Sequence, residues 1–174
     1  GVSVTTSRGG SGSGNVFVPK TPESFTYALD GNTLTDGRWT YTWDAENRLV
    51  TLVGHTGLGA PLRLDFEYDT QGRRIRKRVW NNTGGTGSPT LERKYLYDGW
   101  NLLAEVDGSN ALVNSFTWGL DLSGTLQGVG GVGGLIAVKP AASAARFVAY
   151  DANGNVAALI DGSTGQADTH YEFG

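Results

Sequence analysis

The hairpin that decides the fold reads Leu62-Arg63-Leu64-Asp65-Phe66-Glu67-Tyr68-Asp69, then Thr70-Gln71-Gly72, and returns as Arg73-Arg74-Ile75-Arg76-Lys77-Arg78-Val79. Apolar and charged side chains alternate in the first arm, and a period of two is typical of a β-strand. The same period predicts that Arg74, Arg76 and Arg78 share one face of the returning strand, opposite Ile75 and Val79. We therefore expect an acidic strand beside a basic strand.

An aromatic residue followed by aspartate recurs along the chain, each time ahead of a turn-forming stretch. A supersecondary unit repeated in this way is typical of an extended β-array. Aspartate can cap its own turn and glycine tolerates positive φ, so these stretches predict tight hairpins. Degenerate copies stand at Trp118-Gly119 and Phe173-Gly174. We expect a structural role for the repeat signature, which comprises Tyr41, Trp43, Asp44, Tyr68, Asp69, Gly72, Tyr97, Asp98, Trp118, Tyr150, Asp151 and Gly154.

The composition predicts an all-β protein built of antiparallel hairpins. Glycine accounts for 27 of the 174 residues and aromatics for 10%, whereas amphipathic helical patterns are nearly missing. Residues 1–24 are rich in Gly, Ser and Pro and predict a linker or extended lead-in. Residues 25–174 carry the repeats, and among them 101–106 and 135–140 are expected to be strands.

Charge and cysteine content exclude several classes of function at this stage. The net charge of −3 and the pI of about 5.3 give no electrostatic reason to expect nucleic acid or an anionic membrane as a partner. No apolar run approaches the roughly 18 residues needed to cross a bilayer. The absence of Cys excludes disulfides, thiolate nucleophiles and most zinc sites. We expect no cofactor, no metal and no membrane insertion.

The basic cluster in the returning strand has two interpretations. Arg74, Arg76 and Arg78 form a stripe on which glycans or phosphates could dock. Alternatively, the arginines pair with acidic residues of the neighbouring strand, where each cross-strand pair contributes about 0.2–1 kcal/mol and keeps the strand soluble.

Other motifs for chemistry are incomplete. Residues 128–133 match the Gly-x-Gly-x-x-Gly pattern, but a strand rather than a helix is expected after them. The stretch that begins at Asp151 resembles a calcium loop, yet Val156 stands where glycine is required. Only His55 and His170 are present, which leaves little for a histidine metal cluster or a Ser-His-Asp triad.

Two groups of segments carry a resemblance to a known family. Residues 41–49 and 66–74 resemble the YD repeat of Rhs proteins. Residues 95–99, 116–127 and 150–156, together with the Gly-rich run, are similar to the Rhs repeat-associated core. Residues 25–174 are covered by this resemblance, which extends to bacterial Rhs polymorphic toxins, the C component of Tc toxins and the teneurin β-shell.

The resemblance implies a β-strip that spirals into a hollow shell, which in bacterial members encloses a C-terminal toxin released by aspartate-dependent self-cleavage. We therefore expect a non-enzymatic structural segment for encapsulation or self-assembly, exported to the extracellular space or cell surface. The expected partners are other YD repeats of a longer chain or identical copies, with glycans as a further possibility. The alternatives are a carbohydrate-binding or adhesive module and a self-cleaving core.

Overall fold

The computed structural model describes residues 2–5, 11–14, 18 and 21–172. All regular elements among these residues are β-strands, fifteen in number, without a helix. The strands are β1 (Val2–Thr5), β2 (Ser11–Gly14), β3 (Thr26–Tyr27), β4 (Thr33–Thr35), β5 (Trp39–Trp43), β6 (Leu49–Gly54), β7 (Arg63–Tyr68), β8 (Arg74–Trp80), β9 (Leu91–Asp98), β10 (Asn101–Val106), β11 (Leu112–Trp118), β12 (Leu135–Pro140), β13 (Arg146–Tyr150), β14 (Val156–Asp161) and β15 (Ala167–His170).

Strands β3 to β15 form one 13-stranded sheet in which each strand pairs with its neighbours in sequence. Every pair whose register is defined is antiparallel, which confirms the prediction of an all-β fold made of hairpins. The chain divides into two compact units, one of residues 1–65 and 79–90 and the other of residues 66–78 and 91–174.

Strands β1 and β2 form a separate antiparallel pair within the predicted lead-in, with Val2 opposite Gly14. Gly9, Gly10 and Pro19, on which that prediction partly depends, lie outside the described residues, as does the degenerate repeat at Phe173-Gly174. The domain boundary at residue 24 stays a prediction.

In the first unit, strand pairing sorts side chains by polarity. Tyr41 lies opposite Leu52, which lies opposite Leu64, so an aromatic and two aliphatic side chains meet on one face. Thr51 lies opposite Asp65 on the other face, where its hydroxyl donates to Asp65 Oδ1 at 3.1 Å. The alternation of apolar and polar residues in the sequence thus corresponds to the alternation of side chains between the two faces of the sheet.

In four of the repeats the aromatic residue donates a hydrogen bond to a backbone carbonyl of the preceding strand. Trp43 Nε1 donates to Thr33 O at 2.7 Å, Trp118 Nε1 to Leu102 O at 2.7 Å, Tyr150 Oη to Leu135 O at 2.7 Å and Tyr97 Oη to Arg74 O at 3.0 Å. These bonds require a ring with a polar tip, which Trp and Tyr have and Phe lacks. The repeated ring therefore ties neighbouring strands together.

The aspartate of the repeat closes the hairpin turn that follows it. Oδ1 of Asp44, Asp69 and Asp151 accepts the backbone N–H groups of the residues two and four positions later, at 2.8 to 3.0 Å. The residue three positions later has positive φ, 80° at Gly72 and 81° at Gly154. A type I turn followed by a left-handed residue has this geometry, and it explains the glycines of the signature.

Two further turns have the same geometry without an aromatic residue before the aspartate. Asp107 and Asp121 each accept the N–H of the residue two positions later at 2.9 Å, and positive φ follows at Asn110 and Gly124. Asp98 differs, because Asn101 lies directly opposite it and only two residues form the turn. The aromatic–aspartate pattern therefore marks most of these turns but does not define them.

Few hydrophobic side chains are fully shielded from solvent. Among the described residues only Trp80, Ala137 and Ala158 are buried hydrophobics, with at most 9% of their surface exposed. Most aromatic side chains of the sheet are half-buried. The strands therefore owe their order mainly to hydrogen bonds between strands and side-chain contacts on the sheet faces.

Candidate functional site

The cationic side chains of the chain are concentrated in β8 and β9. Seven of the 14 Lys and Arg residues lie between Arg73 and Lys94, but only one of the 17 acidic residues, Glu92, lies there. All seven belong to the second unit. A net charge taken over the whole chain conceals this local excess of positive charge.

The three arginines of the predicted stripe do not share one face. Arg74 contacts Phe66 and Arg76 contacts Glu67, and these two adjacent residues of β7 point to opposite faces of the sheet. Arg74 and Arg76 therefore point to opposite faces. In a regular strand residues two apart share a face, so we infer that Ile75 is the additional residue of a β-bulge.

The register of hairpins β5–β6 and β13–β14 supports the inference of an additional residue at Ile75. Their register shifts at the aromatic residue of the repeat, between Thr42 and Trp43 and between Ala149 and Tyr150. A β-bulge at the turn-proximal end of the returning strand moves one side chain to the other face. It explains why strict alternation misplaced Arg74.

Arg76 and Arg78 belong to a compact network of ion pairs. Arg76 Nη1 lies 3.1 Å from Glu67 Oε2 and its Nε lies 3.2 Å from Glu92 Oε1. Arg78 Nη2 lies 2.5 Å from Glu67 Oε1. Two guanidinium groups and two carboxylates thus compensate each other, as the interpretation of cross-strand charge pairs expects.

Arg74 lies between two aromatic rings. Its Cζ lies 5.4 Å from the centroid of Phe66 and 5.5 Å from that of Tyr95, within the range of a cation–π contact. The side chain is exposed, and within residues 21–172 no hydrogen bond or ion pair engages its guanidinium. Arg74 is therefore oriented by the rings while its N–H donors point to solvent.

Tyr95 and Tyr97, the two tyrosines of β9 on the face that carries Arg74, each lie near an arginine. Burial raises the pKa of Tyr95, and the positive charge of Arg74 opposes that rise. Arg73 Cζ lies 5.1 Å from the ring of Tyr97, and Arg73 Nε pairs with Asp69 Oδ2 at 2.7 Å. Arg73 also donates to the carbonyl of Gly99.

Two more cations lie on the face that carries Arg74. Lys77 is on this face because it is adjacent to Arg76 in the strand, and Arg93 is on it because it precedes Tyr95 by two residues. Glu105 lies opposite Tyr95 and accepts a hydrogen bond from Asn114 Nδ2 at 2.6 Å. We define the arginine–aromatic face as the side-chain set Phe66, Arg74, Lys77, Arg93, Tyr95 and Tyr97.

The glycine-rich stretch 128–133 is a loop anchored on a carboxylate. Asp121 is 5% exposed, and its Oδ2 accepts the N–H groups of Val129 at 2.8 Å and Gly131 at 3.3 Å. The hydrogen bond from Ser123 is the largest of the effects that lower the pKa of Asp121 to about 2, and the bonds from the two amides add to it. Burial acts in the other direction and raises the pKa. Strand β12 follows the loop, which confirms the strand predicted at 135–140.

The other motifs lie in structural roles. Both carboxylate oxygens of Asp151 accept hydrogen bonds within its own turn, one of them from Asn155 Nδ2 at 2.9 Å. His55 Nε2 lies 3.0 Å from Thr40 Oγ1, and His170 is in β15. Over residues 21–172 no three His, Cys, Asp or Glu side chains are grouped so that they could hold a metal ion. In the same part of the chain no helix is long and apolar enough to cross a membrane.

The chain is thus an all-β protein with one multistranded sheet, a charge network and an arginine–aromatic face. No family model matches it. It is similar to proteins from Bacillus whose names describe nucleases. It is 34% identical over 156 residues to the tRNA3(Ser)-specific nuclease WapA of Bacillus spizizenii and 33% identical over 153 residues to the tRNA nuclease WapA of Bacillus subtilis.

A third relative is the tRNA(Glu)-specific nuclease WapA of Bacillus subtilis subsp. natto, 34% identical over 153 residues. Each of the three alignments covers 87% of this chain and 6% of the relative. The chain therefore spans a small fraction of the length of the relatives that it matches. Their similarity to this chain is consistent with an exported bacterial protein.

These relatives correct several expectations drawn from the sequence. The interpretation as an Rhs core is wrong, since the relatives are named WapA nucleases. The expectations of a non-enzymatic structural segment, of self-assembly partners and of no nucleic-acid partner fail for the same reason. The repeats describe the architecture of the chain, and the net charge describes its average electrostatics. Neither reveals a locally basic surface.

Proposed function

We propose that this chain is part of a WapA-like toxin that cleaves tRNA. The observation that carries the proposal is the identity of about one residue in three, maintained over 87% of the chain, to three nucleases named for tRNA. The basic segment from Arg73 to Lys94 supports it, because clustered Lys and Arg residues attract a polyanion such as RNA. The proposal includes export: the protein leaves the cell that makes it and is found at the cell surface or outside that cell, and it cleaves tRNA after it has entered a target cell.

Of the predicted stripe, Arg74 is the residue that we assign to RNA contact. Its guanidinium is exposed and its donors are directed to solvent, whereas those of Arg76 and Arg78 point to Glu67. A guanidinium with unoccupied N–H groups can donate to a phosphate without first breaking an internal ion pair.

The test is a cleavage assay with the purified chain and bulk tRNA. Products are separated on a denaturing gel, and a heat-denatured sample of the chain is the control. Discrete shorter fragments that appear only with the native chain are the expected result. Bulk tRNA that stays intact over a full range of chain concentrations would refute the proposed activity for this chain.

A further inference from the structure

We propose that the arginine–aromatic face binds single-stranded RNA, with unpaired bases against its rings and phosphates against Arg74. This inference rests on the proposed function, because RNA enters as the ligand through the tRNA nucleases that the chain resembles. Beyond the proposed function, the inference specifies which surface of this chain contacts RNA and that the bound RNA is single-stranded.

The orientation of Arg74 fits it for a phosphate. Phe66 and Tyr95 hold its guanidinium at 5.4 and 5.5 Å from their centroids, so less side-chain entropy is lost when the group binds. Arg76, two residues later, faces the other way and is engaged by Glu67 and Glu92. The bulge at Ile75 thus separates one exposed guanidinium from the internal charge network.

The rings supply surfaces for bases. Tyr95 and Tyr97 are half-buried and lie two residues apart on β9, on the face that carries Arg74. Tyr97 is held by its hydroxyl, which donates to Arg74 O, and by Arg73, which lies over one face of its ring. Every base has a π-face, so fixed aromatic rings beside cations are a sequence-tolerant platform for single strands.

The charges of this face favour a polyanion. The three cations Arg74, Lys77 and Arg93 outnumber the one carboxylate opposite Tyr95, which is Glu105 and accepts a hydrogen bond from Asn114. Stacking requires bases whose faces are free, and these occur in loops and single strands rather than in a duplex. We therefore expect single-stranded RNA to bind more tightly than a duplex.

The experiment measures fluorescence anisotropy of a labelled oligouridine titrated with the whole chain, with the same strand annealed to oligoadenosine as the duplex. The variant is Arg74→Ala. The matched control is Lys139→Ala, which removes one positive charge from an exposed side chain of β12 that donates only to Ser143 O. We expect Arg74→Ala to weaken binding about tenfold, and Lys139→Ala to change it less than about twofold.

A second variant, Arg74→Lys, keeps the charge but lacks the planar guanidinium that stacks on Phe66 and Tyr95. We expect it to bind oligouridine more weakly than the unchanged chain and to keep the far-UV circular dichroism and melting temperature, so that a folding defect in the alanine variant does not decide the result. The slope of log affinity against log salt should fall by about 0.7 for Arg74→Ala, as expected for one lost phosphate contact.

Three outcomes would overturn the inference: no binding of oligouridine by the unchanged chain, equal losses for Arg74→Ala and Lys139→Ala, or tighter binding of the duplex. The tRNA cleavage assay separates this inference from the proposed function. If Arg74→Ala still cleaves tRNA and binds oligouridine as well as the unchanged chain, the proposed function is retained and the binding site is refuted. If binding depends on Arg74 but tRNA is not cleaved, the binding site is retained and the proposed function is refuted.

Discussion

The hydroxyl of Tyr150 donates to the backbone carbonyl of Leu135 at 2.7 Å and so joins β13 to the strand before it. Replacing Tyr150 with Phe keeps the ring and leaves this carbonyl without its donor. We expect a loss of about 1 kcal/mol in the free energy of unfolding. Tyr171→Phe is the matched control, because within residues 21–172 its exposed side chain makes no hydrogen bond. Urea denaturation of both variants measures the difference, and equal stabilities would contradict the assigned role of the hydroxyl.

The turn glycines differ in what surrounds them, and alanine substitutions should reflect it. Gly72 has φ of 80°, and a Cβ added there would have no atom within 4 Å beyond those of Gly72 and its two chain neighbours. Gly72→Ala should therefore cost only the free energy of placing alanine in the left-handed conformation, about 1 kcal/mol. Gly154 has φ of 81°, and its added Cβ would lie 2.9 Å from Leu122 Cδ1. Gly154→Ala should therefore be the more destabilising of the two.

Asparagine provides the control for this pair. Asn47 and Asn110 occupy the same turn position with φ of 60° and 69°. Gly72→Asn should accordingly be less destabilising than Gly72→Ala, as measured by the midpoint of chemical denaturation. A Gly72→Asn protein as unstable as Gly72→Ala would show that the left-handed conformation is not what selects the residue.

Much of the sheet could be predicted from the sequence. Strands were predicted at residues 101–106 and 135–140, and these are the bounds that β10 and β12 have. Aspartate and glycine identified the turns, because their contacts are local and involve residues two to four positions apart. Strand β3 is short, since only Thr26 and Tyr27 pair with β4.

The candidate site was harder to predict because it depends on register. A single additional residue at Ile75 moves Arg74 to the face of Phe66, and alternation alone contains no signal for it. The register shifts of β5–β6 and β13–β14 show that the bulge accompanies the repeat itself, so repeat alignment could have revealed it. The Asp121 loop depends on contacts eight and ten residues away, which no local pattern reports.

Asp121 should determine the order of the glycine-rich loop. Its pKa of about 2 is below the ordinary value of 3.8, so its stabilising contribution is present above about pH 4 and is lost as pH falls toward about 2. Asp121→Asn places an amide N–H₂ among N–H donors and should accelerate hydrogen exchange at Val129 and Gly131. Glu172→Gln, which neutralises an exposed carboxylate, is the control. Unchanged exchange at both amides in Asp121→Asn would contradict the anchoring role.

At the alkaline end, the stability of the first unit should respond to Tyr41. Burial and the hydrogen bond from its hydroxyl to Asp36 Oδ2, 2.6 Å long, raise the pKa of Tyr41 to about 12. An unfolded tyrosine has a pKa of about 10, so the folded state binds this proton more tightly. The resulting stabilisation is complete below about pH 10 and is lost as pH rises from about 10 to about 12.

Tyr41→Phe should remove that part of the alkaline decline, because the variant has no phenol to ionise. It should also be less stable at neutral pH, since Asp36 loses the hydroxyl donor of Tyr41. The backbone N–H groups of Arg38 and Trp39 still donate to Asp36 Oδ1, at 2.7 and 2.6 Å. Tyr27→Phe, at an exposed tyrosine of β3, is the matched control. Guanidinium denaturation at several pH values gives the slope of stability against pH, and identical alkaline slopes for the two variants would rule out the Tyr41–Asp36 bond as its source.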